Sequence, residues 1–137
     1  MKPLAIWIAV VAVVFGGFAL VTRNARGTEQ VFVFVDSSNQ MEKVWPDVRR
    51  ELDRIDDAEY SEFALATGQS RGSELVHTWQ SELELVGVEP FAPCSFDEID
   101  QFPEATEADR RILVTTSDNT ECDTTALVGW EIIELDP

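Results

Sequence analysis

The sequence predicts a small α/β domain, an open sheet covered on both faces in three layers, preceded by one N-terminal transmembrane helix. Residues 4–21 form an uncharged apolar run, and residues 31–35 (VFVFV) are apolar at every position. Continuous apolarity indicates a strand covered on both faces. A helix pattern at residues 46–55 follows directly, and a strand followed by a helix opens a βαβ arrangement. Two parts result, a membrane segment with its flank (1–27) and an acidic α/β domain (28–137).

The N-terminal apolar run has the length of a membrane span. It contains eighteen residues without a charge, preceded by Lys2 and followed by Arg23 and Arg26. At about 1.5 Å per residue it reaches roughly 27 Å, close to the hydrocarbon thickness of a bilayer. A surface helix of a soluble protein would show a polar face, and this run has none. We therefore predict membrane attachment through residues 4–21, with a signal peptide cleaved near Gly17 and Ala19 as the alternative.

The two cysteines decide the predicted orientation, since the flanking positive charges nearly balance across the membrane. Cys94 and Cys122 lie 28 residues apart in segments that read as loops. In an exported domain they would form a stabilising disulfide, whereas in a cytosolic domain they would be two unrelated thiols. We expect a single-pass protein of the cell membrane with the domain on the extracytoplasmic side and the disulfide formed.

The charge of the domain limits its partners. After Gly27 the chain has seven basic and 26 acidic residues, a net charge of −19. Nucleic-acid binding needs basic patches, and anionic lipid also attracts basic segments. The composition therefore argues against nucleic acid and against contact with an anionic lipid surface. The acidity is explained by solubility or a salty habitat, with a cation or a basic partner protein as the alternative.

Further elements follow the first helix. Residues 60–67 alternate partly and predict a second strand, the turn formers of 68–73 follow, and 74–79 predict a hairpin partner. Residues 83–88 are apolar but of uncertain type. Residues 89–109, with three prolines and many acids, predict a long irregular connection with at most a helical turn at 96–102.

The last third of the chain repeats the strand-then-loop pattern. Residues 111–116 (RILVTT) predict a strongly apolar strand, 117–123 a polar loop, and 127–135 a final strand. The prediction totals four or five strands and one clear helix in a single domain.

Two polar loops follow apolar strands in this prediction. In open parallel sheets ligands bind at the carboxyl ends of the strands. If the first strand and the strand at 111–116 are neighbours, Asp36, Ser38 and Asp118 converge, together with Gln40. Carboxylate and hydroxyl oxygens are the ligands that Mg²⁺ and Ca²⁺ require. The alternative is that Asp36 and Ser38 cap the following turn.

These residues resemble the opening of a von Willebrand factor A domain. The strand VFVFV is followed by Asp36-x-Ser38-x-Gln40-Met41 and by a helix with a leading tryptophan. The family builds its metal-ion-dependent adhesion site on Asp-x-Ser-x-Ser, and ILVTTSD resembles its fourth strand, where an aspartate closes that site. The resemblance implies a Rossmann-like sheet and an ion held by Asp36, Ser38 and Asp118, completed by a partner's carboxylate.

The motif departs from the family at several points. Gln40 stands where the second serine is expected, Asp118 comes one residue late, and Asn119 replaces a glycine. The loop that would supply the family's threonine ligand is compressed into the proline-rich stretch. Each change removes or displaces an oxygen ligand.

Residues typical of catalysis are scarce. His77 is the only histidine, and its mid-strand position predicts a half-buried filler. The cysteines lack Cys-x-x-Cys spacing, and no glycine-rich phosphate loop occurs. We therefore expect a membrane-anchored, non-enzymatic protein-interaction domain with a weak Mg²⁺ or Ca²⁺ site. The alternative is a structural accessory protein of the cell envelope without a metal site.

Overall fold

A computed structural model of the chain describes residues 6, 8, 11–14 and 27–137. Residues 6, 8 and 11–14 are helical and exposed. Among the residues described, no helix has both the length and the apolarity to cross a membrane. Most of the predicted membrane segment 4–21, including the alternative cleavage site at residues 17–19, lies outside the described residues.

The domain is a mixed α/β structure around a five-stranded sheet. The strand order is β3-β2-β1-β4-β5, with β3 antiparallel to β2 and all other neighbours parallel. The elements are β1 (Glu29–Val35), α1 (Trp45–Asp56), β2 (Ser61–Gln69), β3 (Gly72–Gln80), α2 (Pro103–Glu107), β4 (Arg110–Thr116) and β5 (Glu131–Leu135). The predicted central strand, first helix and hairpin are therefore confirmed.

β1 is the centre of the sheet because its side chains are apolar on both faces. Val31, Val33 and Val35 enter one core cluster, while Phe32 and Phe34 enter the other, and all five are buried. A half-exposed strand would alternate apolar with polar residues, and this strand does not. Only a strand in the middle of a covered sheet buries the side chains on both of its faces.

One face of the sheet is covered by α1 and by residues 83–88. Pro46 lies in the first turn of α1, where its missing N–H costs nothing, and Val48 and Leu52 point into the core. Leu83 and Leu85 pack against the same cluster. Residues 83–88, whose type the sequence left uncertain, are therefore an irregular segment. They cover this face beside α1, where larger α/β domains have a second helix.

The other face is covered mainly by irregular chain. Residues 93–109 cross it with a 3-10 turn at Ile99–Gln101 and the short helix α2, and Trp130 closes the cluster. The sequence predicted a helical turn at residues 96–102, and the observed 3-10 turn at Ile99–Gln101 lies within that range. The sequence did not predict α2, since one turn that begins at Pro103 has no apolar periodicity to reveal it.

The last strand is shorter than predicted. β5 begins at Glu131, four residues later than the sequence pattern suggests, because Gly129 has a φ of +82° and residues 127–130 form a turn. The backbone N–H of Trp130 donates to the carbonyl of Leu127 at 3.4 Å. The apolar residues before β5 therefore belong to the turn and to the core.

Asp56, at the carboxyl end of α1, gives a prediction for stability. Burial raises the pKa of its carboxyl group, and neighbouring Glu82, Asp53 and Asp57 raise it further, while a hydrogen bond from the Leu83 backbone opposes them. A raised pKa in the folded state means that the ionised form destabilises the fold, so this penalty is present at neutral pH and disappears as the pH falls through the folded pKa.

We expect Asp56→Asn to raise the melting temperature at pH 7 by about 1–4 °C, because the amide keeps an acceptor for Leu83 without a charge. The gain should shrink as the pH falls and Asp56 of the wild type becomes protonated. Thermal melts between pH 7 and pH 4 measure it. Asp57→Asn, at an exposed position in the same helix end, is the matched control; an equal gain in both variants would attribute the effect to net charge instead of burial.

Candidate functional site

The carboxyl ends of β1 and β4 lie side by side, which is the condition on which the predicted site depends. Val35 pairs with Val114 in parallel register, and the backbone N–H of Asp36 donates to the Val114 carbonyl at 2.9 Å. Ser38 pairs with Ala92 in an isolated bridge. The chain after β1, the chain around Ala92 and the loop after β4 therefore meet at one edge of the sheet, which we call the carboxyl edge.

Asp36 is a buried carboxylate in a set of hydrogen bonds. Its residue is only 2% exposed. Oδ1 accepts the backbone N–H of Ser38 at 2.8 Å, while Oδ2 accepts the Thr115 hydroxyl at 2.7 Å and the Asn119 side-chain amide at 3.1 Å. Burying a carboxylate is costly unless donors surround it, and three donors meet that need here.

Asn119 connects this carboxylate to the disulfide. Its amide oxygen accepts the backbone N–H groups of Glu121 at 3.2 Å and Cys122 at 3.1 Å. Its amide nitrogen lies 3.1 Å from Asp36 Oδ2 and 3.2 Å from Cys94 Sγ. Because the oxygen serves two donors, the amide nitrogen is the end that faces the carboxylate.

The predicted disulfide between Cys94 and Cys122 is confirmed. The two residues are bonded, with a Cα–Cα distance of 5.7 Å across a separation of 28 residues. That distance is usual for a disulfide. The bond ties residues 93–109, which cover one face of the sheet, to the loop between β4 and β5.

Ser38 contributes the unusual atom of the carboxyl edge. The residue is 2% exposed, and its Oγ is buried without a hydrogen-bond partner among the described residues. Ser38 precedes a 3-10 turn at Asn39–Lys43 but makes no side-chain cap. The carboxylate of Asp36 accepts the N–H of Ser38 two residues on, but neither Asp36 nor Ser38 caps the 3-10 turn through its side chain.

The hydrogen-bond partners of the Asp36 carboxylate are Ser38, Thr115 and Asn119, and Asp118 is not among them. The side chain of Asp118 is exposed, and only its backbone N–H approaches the Thr116 hydroxyl, at 3.4 Å. Gln40 does reach the same loop, because its Oε1 accepts the N–H of Thr120 at 3.2 Å. The place beside the Asp36 carboxylate, where the closing aspartate was expected, is thus taken by the side-chain amide of Asn119.

The residues at this edge fit a divalent cation only in part. The unpartnered hydroxyl of Ser38 is a suitable ligand, but the oxygens of Asp36 already accept three hydrogen bonds, and Asn119 presents a nitrogen to it. Within the described part of the chain, no three histidine, cysteine or carboxylate side chains are placed to share a metal ion. The Mg²⁺ or Ca²⁺ site on Asp36, Ser38 and Asp118 stays a prediction.

Sequence reasoning missed Thr115 and Asn119, which complete the site. Thr115 and Thr116 are buried at the end of a strand that is otherwise apolar from Ile112 onward. A buried polar residue needs a hydrogen-bond partner, so this change from apolar to polar was the available signal. Nothing comparable distinguished Asn119 from the polar residues around it.

An exposed aromatic side chain stands beside this site. Phe91 is 65% exposed, directly before Ala92 and therefore at the carboxyl edge. A cleft of about 220 Å³ lies between Phe91 and Val88 on one side and Gly68 and Gln69 on the other. The carboxyl edge thus combines buried, hydrogen-bonded polar groups with an exposed aromatic side chain.

Comparison of the chain with known protein families, with curated proteins and with solved structures finds no match.

Proposed function

We propose that this chain is a single-pass membrane protein whose acidic domain is a non-enzymatic protein-interaction module, similar to a reduced von Willebrand factor A domain. Its binding surface is the carboxyl edge of the sheet. An antiparallel hairpin lies on one side of the central strand and β4 on the other, and this order supports the resemblance. The geometry of Asp36 and Asn119 favours binding without a metal ion.

The exposure of Phe91 carries the proposal. Its backbone N–H donates to the carbonyl of Glu89 at 3.0 Å, and the N–H of Ala92 donates to the carbonyl of Ser37 at 2.9 Å. The backbone beside Phe91 is therefore hydrogen-bonded while the ring itself is exposed to solvent. Aromatic residues are enriched at the centres of protein interfaces, where a few such anchors supply most of the binding energy.

The one histidine supports a role without catalysis. His77 Nδ1 bonds to the carbonyl of Thr78 at 2.9 Å, and Nε2 lies 3.4 Å from the backbone N–H of Glu84. Both ring nitrogens thus have backbone partners, and among the described residues no carboxylate is hydrogen-bonded to the ring. A general base needs a nearby proton to abstract and often a group that positions it, and His77 has neither in this arrangement.

The position of the binding edge agrees with a membrane anchor. The chain enters β1 at Glu29, and the carboxyl edge lies at the opposite end of this seven-residue strand, about 20 Å away. The described residues of the N-terminal segment, such as Val13 and Val14, are apolar and exposed, which supports burial in lipid. The disulfide supports an extracytoplasmic domain, since disulfides persist in oxidising compartments.

Photo-crosslinking tests this proposal in the intact chain. A benzophenone amino acid placed at Phe91 should give a discrete crosslinked protein when expressed in the native membrane. The same amino acid at Val128 is the matched control, because Val128 is 86% exposed but lies in the turn before β5. It is therefore at the opposite edge of the sheet, where the parallel strands begin, which we call the amino edge. Equal products from both positions, or none from Phe91, would contradict the proposed binding surface.

A further inference from the structure

A groove runs along the domain between α1 and residues 83–88. Two clefts of about 520 Å³ and 340 Å³ lie next to each other, since Arg49 and Leu85 line both of them. The larger cleft extends to Trp45 and Val88, beside the carboxyl edge. The groove is thus long in one direction, as an extended peptide would require.

The wall formed by residues 83–86 has the pattern of an unpaired strand. Leu83 and Leu85 face the core, while Glu84 and Val86 are exposed, and Val86 is 71% exposed. This alternation is that of an extended chain. It ends at Gly87, whose φ is +71°.

The backbone of this wall offers hydrogen bonds to the groove. The N–H of Glu84 faces His77 on β3, 3.4 Å from Nε2, on the side away from α1. Successive residues of an extended chain direct their N–H and C=O groups to opposite sides, so those of Leu85 face α1 and the groove. Among the described residues, the backbone of 84–88 forms no hydrogen bond to other backbone groups.

The charges around the groove select its occupant. Asp53, Glu84 and Glu89 line the two clefts against the single basic residue Arg49. The domain as a whole carries −19. An occupant with basic side chains is therefore attracted, and an acidic one is repelled.

We propose that this groove binds a basic, extended segment of the partner protein by strand addition to residues 83–86. An unpaired backbone edge is a template for an incoming strand, and alternate side chains of that strand then supply specificity. Basic side chains of the segment would meet Glu84 and Glu89, and apolar ones Leu85 and Val88. This inference rests on the proposed function, since the groove opens at the same carboxyl edge.

Peptide binding to the full-length chain in phosphatidylcholine nanodiscs tests the proposal. The probe is a labelled nine-residue peptide of alternating lysine and valine, followed by fluorescence anisotropy with empty nanodiscs as the blank. We expect binding that weakens about tenfold or more when every second amide of the probe is N-methylated, because backbone pairing is then lost while charge is kept. A peptide of alternating glutamate and valine should not bind.

Two variants locate the site. Val86→Lys should weaken probe binding about tenfold, whereas Val128→Lys, the same change at an exposed valine of the amino edge, should change it less than about twofold. Absence of probe binding, insensitivity to N-methylation, or equal effects of the two variants would each overturn the proposal. If crosslinking at Phe91 persists in that case, the binding surface stands and only the groove fails.

Discussion

Replacing both cysteines by serine is expected to lower the free energy of unfolding by about 3.5 kcal/mol. The disulfide between Cys94 and Cys122 closes a separation of 28 residues, and its loss frees that stretch in the unfolded chain. The folded state also loses its hold on the loop that carries Asn119. Urea unfolding followed by tryptophan fluorescence, with variant and wild type compared at equal protein concentration, measures the change.

A reducing agent supplies the control for this prediction. It should lower the stability of the wild type by a similar amount and leave the Cys94→Ser/Cys122→Ser variant unchanged. A loss below about 1 kcal/mol would show that other contacts hold the two segments together. A further loss in the variant would mean that the reductant acts elsewhere.

The second large effect is expected at Asp36. Asp36→Ala should cost about 3 kcal/mol, because it leaves the donors of Ser38, Thr115 and Asn119 without their shared acceptor in a buried place. Asp118→Ala removes an exposed carboxylate and should change stability by less than about 0.5 kcal/mol. Urea unfolding of the two variants measures both values.

This pair of aspartates also distinguishes the observed geometry from the predicted metal site. If Asp118→Ala proved as costly as Asp36→Ala, the two carboxylates would act together, as the family resemblance implies. A large effect confined to Asp36 agrees with the hydrogen-bonded arrangement, in which Asn119 takes the place beside it.

Those parts of the fold that depend on apolar pattern were predictable from the sequence. The apolar run Val31–Val35 fits only a strand in a sheet that is covered on both faces. The spacing of Val48, Leu52 and Ile55 places these three side chains on one face of a helix. The cover of the second face was not predictable in detail. Residues 93–109 are held by single anchors such as Phe96 and Ile99, which carry no periodicity.

The site was predictable in its position but not in its closing residue. Polar residues after two apolar strands indicated the carboxyl edge, and the pairing of β1 with β4 places them together. Whether Asp118 or Asn119 reaches Asp36 depends on the turn after β4, in which the N–H of Asn119 bonds to the Thr116 carbonyl at 3.1 Å. A shift of one residue in such a turn leaves no trace in the sequence pattern.

The disulfide and the hydrogen bonds of Asn119 and Asp36 connect the loops of the carboxyl edge to one another. The disulfide fixes the loop after β4, Asn119 joins that loop to Asp36, and the Asp36 carboxylate fixes the backbone of Ser38. The same links determine where Phe91 lies, because the next residue, Ala92, pairs with Ser38. Loss of the disulfide should therefore alter the position of the exposed Phe91 ring.

The crosslinking yield from Phe91, compared in Mg²⁺ and in EDTA, is the most direct test of a metal-free binding surface at the carboxyl edge. A discrete product at Phe91 with equal yield in both conditions, absent at Val128, is the result we predict. A product of equal yield from both positions would contradict the binding surface. A product at Phe91 that disappears in EDTA would contradict metal-free binding and restore the cation site on Asp36, Ser38 and Asp118.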